Sequence, residues 1–106
     1  MSATIILRHA RRLCRGFGSV PVLVAGDPTA PDGKARRGLP NIVERVSEDG
    51  VGQIVERSEV VTIPTADVPT VLRGTAVTVD GQSRVVRDRL LIEDGSLVEL
   101  VLAGAV

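Results

Sequence analysis

Hydrophobic and polar positions alternate most regularly in the last third of the chain. Thr75, Val77 and Val79 share one face of an extended segment, with Ala76 and Thr78 on the other. Asp80-Gly81 follows, a dipeptide that accepts the positive φ angles of a tight hairpin turn, so the chain is expected to turn back there. Residues 84–92 return, Asp94-Gly95 makes a second such turn, and residues 97–102 set Val98, Leu100 and Leu102 opposite Glu99. The pattern predicts a three-strand meander.

Upstream, the apolar run Val-Pro-Val-Leu-Val-Ala at 20–25 predicts a buried strand. Pro21 lies near its start, where a missing donor is tolerated, and Gly26 ends it. Residues 26–37 (GDPTAPDGKARR) combine Gly, Pro and Asp with terminal cations and predict an exposed loop with a turn at Asp32-Gly33. Strands are expected at 39–47 and 53–63 around Glu48-Asp49-Gly50, with Val43-Glu44-Arg45 meeting Val55-Glu56-Arg57 across the hairpin. Pro64 limits the second of these, and residues 65–70 read as a turn or one helical turn. The sum is a mainly β fold, a small β-barrel or sandwich of about six strands.

The first residues follow another rhythm. Arg8, Arg11, Arg12 and Arg15 keep the i, i+3, i+4, i+7 spacing of one helical face, with Ile6, Ala10 and Leu13 opposite and Gly16 and Gly18 as a stop. A short N-terminal helix over 3–15 is predicted, although Thr4-Ile5-Ile6 equally suits the start of a strand. The expected organisation is a basic helical segment at 1–18 and a β-barrel domain at 19–106 with exposed loops at 26–37 and 47–53. A chain of 106 residues is the size of one domain and not of a multidomain enzyme.

Composition reinforces the β reading, since the chain has 18 valines against one Phe, no Tyr and no Trp. Modules that stack nucleic-acid bases on aromatic rings are disfavoured for the same reason. Cys14 and His9 are each the single residue of their type, too few for an internal disulfide or a Cys/His zinc site. No apolar run approaches a membrane span, and the start lacks the order of a signal peptide, so an assembly-bound or cytoplasmic protein is expected. The net charge is zero, but residues 1–37 hold seven cations and two acids while the remainder holds six and eleven. Such polarity suits a subunit that stacks between unlike surfaces or joins a ring head to tail, and equally two solvated faces.

No catalytic, cofactor or metal residues are assigned. His9 sits among arginines without a nucleophile partner. Cys14 has four arginines within seven residues, which would lower its pKa, yet a lone helical thiol more often serves packing. Asp32, Asp49, Asp80 and Asp94 precede glycines and are explained by turns. The Gly16-x-Gly18 spacing follows a helix instead of a strand and lacks a third glycine. The arginine face at 8–15 suits phosphates, an acidic protein surface or solvent alone.

Residues 20–103 resemble the small head-tail joining proteins of long-tailed phages, the tail-attachment and stopper subunits of the lambda type. The resemblance runs through Val22-Leu23-Val24, Arg36-Arg37-Gly38, Val60-Val61-Thr62-Ile63-Pro64 and Ala66-Asp67-Val68. It ends in Arg73-Gly74-Thr75-Ala76-Val77-Thr78-Val79-Asp80-Gly81, Val85-Val86-Arg87, Glu93-Asp94-Gly95-Ser96-Leu97 and Leu100-Val101-Leu102. It implies a non-enzymatic virion protein of the neck, assembled in the host cytoplasm. Such subunits form a homo-oligomeric ring, expected to be hexameric, between portal or adaptor proteins and tail proteins, with a passing contact to packaged DNA and no membrane. A tail terminator or minor tail subunit is the nearest alternative, and a small nucleic-acid-binding barrel with a basic arm is the alternative from another class. The interface candidates are Arg8, Arg11, Arg12, Arg15, Lys34, Arg36, Arg37, Glu48 and Asp49.

Overall fold

In the computed structural model, residues 10–48, 50 and 52–104 are described. A short helix, α1, covers residues 10–14. Six strands follow: β1 (Val20–Val24), β2 (Arg37–Glu48), β3 (Gln53–Pro64), β4 (Ala76–Val79), β5 (Gln82–Ile92) and β6 (Leu97–Gly104). They pair antiparallel in the order β1-β2-β3-β6-β5-β4 and close into a barrel through the β1–β4 pairing of Val22 with Val79 and Val24 with Val77. Closure removes the free edges that a six-strand sheet would otherwise expose.

The alternation read from the sequence fixes which side chains fill this barrel. On β6, Val98, Leu100 and Leu102 are buried, while Glu99 and Val101 between them are half-buried on the outer face. Val22, Val61, Ile63, Val77, Val79 and Val86 complete the interior together with Val68 and Val71 from the loop after β3. β-branched side chains dominate this core because they fit the pleated surface and have little rotamer freedom to lose. Gly38 is required where β2 enters the barrel: a Cβ there would stand 2.6 Å from Val61 Cγ2 and 3.0 Å from the Thr62 carbonyl oxygen.

The expected meander is present. Val79 pairs with Gln82 across Asp80-Gly81, whose φ angles of 51° and 79° are the left-handed pair that a two-residue turn requires. The hairpin echo also meets as expected, with Glu44 opposite Arg57 and Arg45 opposite Glu56. Its loop is shorter than the expected 47–53, because ladder pairing continues to Ser47–Ile54 and Glu48–Gln53. β3 pairs with β6 over Glu59–Pro64, and β2 pairs with β1 at Arg37 and Gly38. Beyond these, among the described residues, the two strands pair only with each other. Val43–Glu48 and Gln53–Ser58 therefore form a ribbon of about 20 Å that leaves the barrel.

The antiparallel order gives the barrel two distinct ends. The helix end carries the 3-10 turns Thr65–Asp67 and Glu93–Gly95, with α1 packed beside them through Ala10 and Cys14 against Leu97 and Ile92. The hairpin end carries the Asp80-Gly81 turn, the end of β6 and the root of the ribbon.

Candidate functional site

At the helix end the basic segment folds inward. Arg11 donates from Nε to Asp67 Oδ1 at 2.8 Å, and Arg15 donates from Nη2 to Asp67 Oδ2 at 3.0 Å. Arg15 also forks onto Asp32 at 2.7 and 3.1 Å. Arg15 directly follows α1, and its amide donates to the Arg11 carbonyl at 2.9 Å, so residues 11 and 15 lie one turn apart and present both guanidinium groups to the same carboxylate. Asp67 is fully buried in its 3-10 turn. A buried carboxylate needs such donors, because isolated charge in a dry site is strongly disfavoured.

Arg36 closes the cluster. It is 7% exposed and donates from Nε to the Asp67 carbonyl at 2.9 Å and from Nη2 to the Thr29 carbonyl at 2.8 Å, with Nη1 on the Asp27 carbonyl. One planar guanidinium thereby staples the 26–36 loop to the turn that carries Asp67. The loop is thus not wholly exposed as expected: Arg36 and Ala30 are buried, and Arg37 belongs to β2. The turn at Asp32-Gly33 is present, with the Gly33 amide on the Ala30 carbonyl at 2.9 Å. Arg15 holds the Asp32 carboxyl well below the usual carboxylate range, and that hydrogen bond in turn raises Arg15.

Cys14 lies beneath this network with no exposure. Burial pushes its thiol up to about 11, the nearby Asp67 charge adds to that, and Arg15 opposes it. The pull of Arg15 on the Cys14 pKa is therefore outweighed, because the guanidinium groups face Asp67 and Asp32 and the sulfur faces the packed side. Leu13, expected on the apolar face, is 49% exposed, and Cys14 takes its place beside Ala10.

Of the remaining interface candidates, Arg12 and Lys34 are exposed. Arg37 is half-buried and donates to Ser19 Oγ at 2.8 Å and to the Ser19 carbonyl at 2.7 Å. The Glu48 backbone pairs with Gln53 near the ribbon tip. Arg8 and Asp49 lie outside the described residues, as do His9 and most of the helix expected over 3–15.

The hairpin end holds a second feature that sequence reasoning missed. Pro40, Ile42, Val79, Leu102 and neighbouring residues line a concavity of about 350 Å³ at the barrel mouth. Arg84 donates to Glu59 across its rim at 2.7 Å, which holds the Glu59 carboxyl below its ordinary range. Asp67, the centre of the other cluster, also went unassigned. Its signal was present in the sequence, as a lone acid between the apolar run ending at Pro64 and Val68.

Among the described residues no group of three His, Cys, Asp or Glu side chains converges to hold a metal, and no helix is long and apolar enough to cross a membrane. Among the described residues the surface carries a two-strand ribbon, a concave mouth and the exposed cations Arg12 and Lys34. No curated protein matches the chain. The family described as the phage head-tail attachment protein matches residues 2–102, nearly the full length, and the chain belongs to that family of structural proteins of the phage neck.

Proposed function

We propose that the protein is a stopper-type subunit that forms a ring between the portal or adaptor complex and the tail, retaining packaged DNA and docking the tail. The family match over residues 2–102 carries this reading. The fold supports it, because a closed barrel supplies a rigid body while the ribbon, the barrel mouth and the exposed Arg12 are left to meet neighbours. Sixfold symmetry is the expected ring size, and the end of the ribbon at Glu48 and Gln53 is the candidate contact to an adjoining ring or the DNA channel.

The test is to mix purified protein with portal-bearing, tail-less heads and to image the portal vertex by electron microscopy. Added sixfold density at the vertex supports the reading. Capping of isolated tail tubes without binding to heads reassigns the protein as a tail terminator. Tight binding to free duplex that falls steeply with salt replaces both with a nucleic-acid-binding role.

A further inference from the structure

Phe17 is the chain's single aromatic residue, and it is fully exposed between Gly16 and Gly18 in the turn that joins α1 to β1. A phenyl ring in water contributes no packing to the folded monomer, whereas aromatic side chains seated in pockets are the characteristic anchors of protein interfaces. The turn that presents it is held on both sides. Arg15 bridges Asp32 and Asp67 before it; after it, the Ser19 amide donates to the Gly16 carbonyl at 3.1 Å and Arg37 binds Ser19 through two hydrogen bonds. A ring carried on a pinned turn has little conformational freedom to lose on docking.

The barrel mouth is a hollow of suitable kind. Its volume of about 350 Å³ exceeds that of a phenyl ring, its walls include Pro40, Val79 and Leu102, and Ile42 stands 62% exposed at the rim. Charge is matched around the two features, since exposed Arg12 lies on α1 shortly before Phe17 and exposed Asp80 lies on the wall of the hollow. The lining residues of the hollow come from β2 to β6 and the Asp80 turn and none from the turn that carries Phe17, so the anchor and its seat are different parts of one chain. A contact between unlike surfaces of identical subunits is heterologous and generates a ring when its rotation closes.

We propose that Phe17 of one copy seats in the mouth formed by Ile42, Val79 and Leu102 of the next, with Arg12 against Asp80, and that this contact joins the copies head to tail. It rests on the proposed ring and names the contact that builds it. Phe17 and Ile42 are both exposed, so Phe17→Ala and Ile42→Glu leave the fold intact and isolate the contact.

The experiment places the photo-reactive p-benzoylphenylalanine at position 17 of the full chain, irradiates it alone at high concentration and on portal-bearing heads, and maps the products by mass spectrometry. Cross-links from position 17 to residues 42, 79 or 102 of a second copy, in either setting, are the expected result. Phe17→Ala and Ile42→Glu should each weaken self-association about 30-fold by sedimentation, the loss typical of an interface anchor. Cross-links confined to another virion protein, or no cross-link to a second copy in either setting, overturn the inference. Sixfold density of Phe17→Ala on heads, equal to that of the unaltered protein, also overturns it and leaves the joining role standing. Failure of the unaltered protein to bind heads counts against the joining role instead.

Discussion

At the helix end Arg11 and Arg15 converge on the carboxylates of Asp67 and Asp32, beside Arg36 on backbone carbonyls, whereas at the hairpin end Glu59 and Arg84 meet on a half-open rim above Val79 and Leu102. The chemistry is the same, arginine on carboxylate, but its consequence depends on water. Where the carboxylate is fully buried, each guanidinium is required by the fold and is not available to a partner. Where the pair is exposed, the attraction is screened and adds little to stability, so the surface stays free to reorganise on docking. Most of the described basic residues near the start of this chain are therefore internal fastenings, and the surfaces we propose for docking lie on the ribbon, at the mouth and on the turn at Phe17.

The largest effect that could break this contrast is loss of the buried acid. Asp67→Ala removes the 2.8 Å acceptor of Arg11 and leaves Arg15 only Asp32, and should lower unfolding stability by about 4 kcal/mol in urea titrations. It should also expose Cys14, which in the unaltered protein is expected to resist maleimide at pH 8, because burial pushes its thiol up to about 11. Next is Arg36→Met, which orphans the carbonyls of Thr29 and Asp67, leaves the Asp27 carbonyl only the Val24 amide, and should cost about 3 kcal/mol in the same assay.

A smaller effect comes from acid. Arg15 holds the Asp32 carboxyl below its unfolded value, so the folded chain binds that proton less readily than the unfolded one. The stability from this contact is complete above about pH 4 and is lost as the pH falls further, toward the folded-state value. Unfolding midpoints measured from pH 6 to pH 2 should show this decline, and Asp32→Asn should flatten it. The smallest effect is expected at the hairpin end, where Glu59→Gln should leave the unfolding midpoint unchanged within error while altering the salt dependence of self-association. A loss at Glu59 equal to that at Asp67 would erase the distinction between the two ends.

The barrel was largely legible in the sequence because its signals are local. Alternation over 75–79 and 97–102 and the Asp-Gly turns specify strand and reversal within a few residues, and the Val-Glu-Arg echo at 43–45 and 55–57 set the hairpin register. The helix-end cluster was not legible. Arg11 and Asp67 are 56 positions apart, and helical periodicity reports which residues share a face without reporting what that face meets. The same gap explains why Leu13, expected on the apolar face, is exposed, since the rotation of α1 is set by Asp67 and Leu97 across the fold. Phe17 and the mouth escaped for a related reason: exposure and concavity are properties of the closed barrel and not of any short segment.

The most direct test of the division between a fastened end and a docking end is hydrogen exchange of the protein free and bound to portal-bearing, tail-less heads. The account predicts new protection at 16–18, at 40–42, at 79–84 and along the ribbon, with unchanged exchange around Asp67 and in the loop stapled by Arg36. New protection confined to the Asp67 cluster and the 26–36 loop, with the mouth and ribbon unaltered, would contradict it.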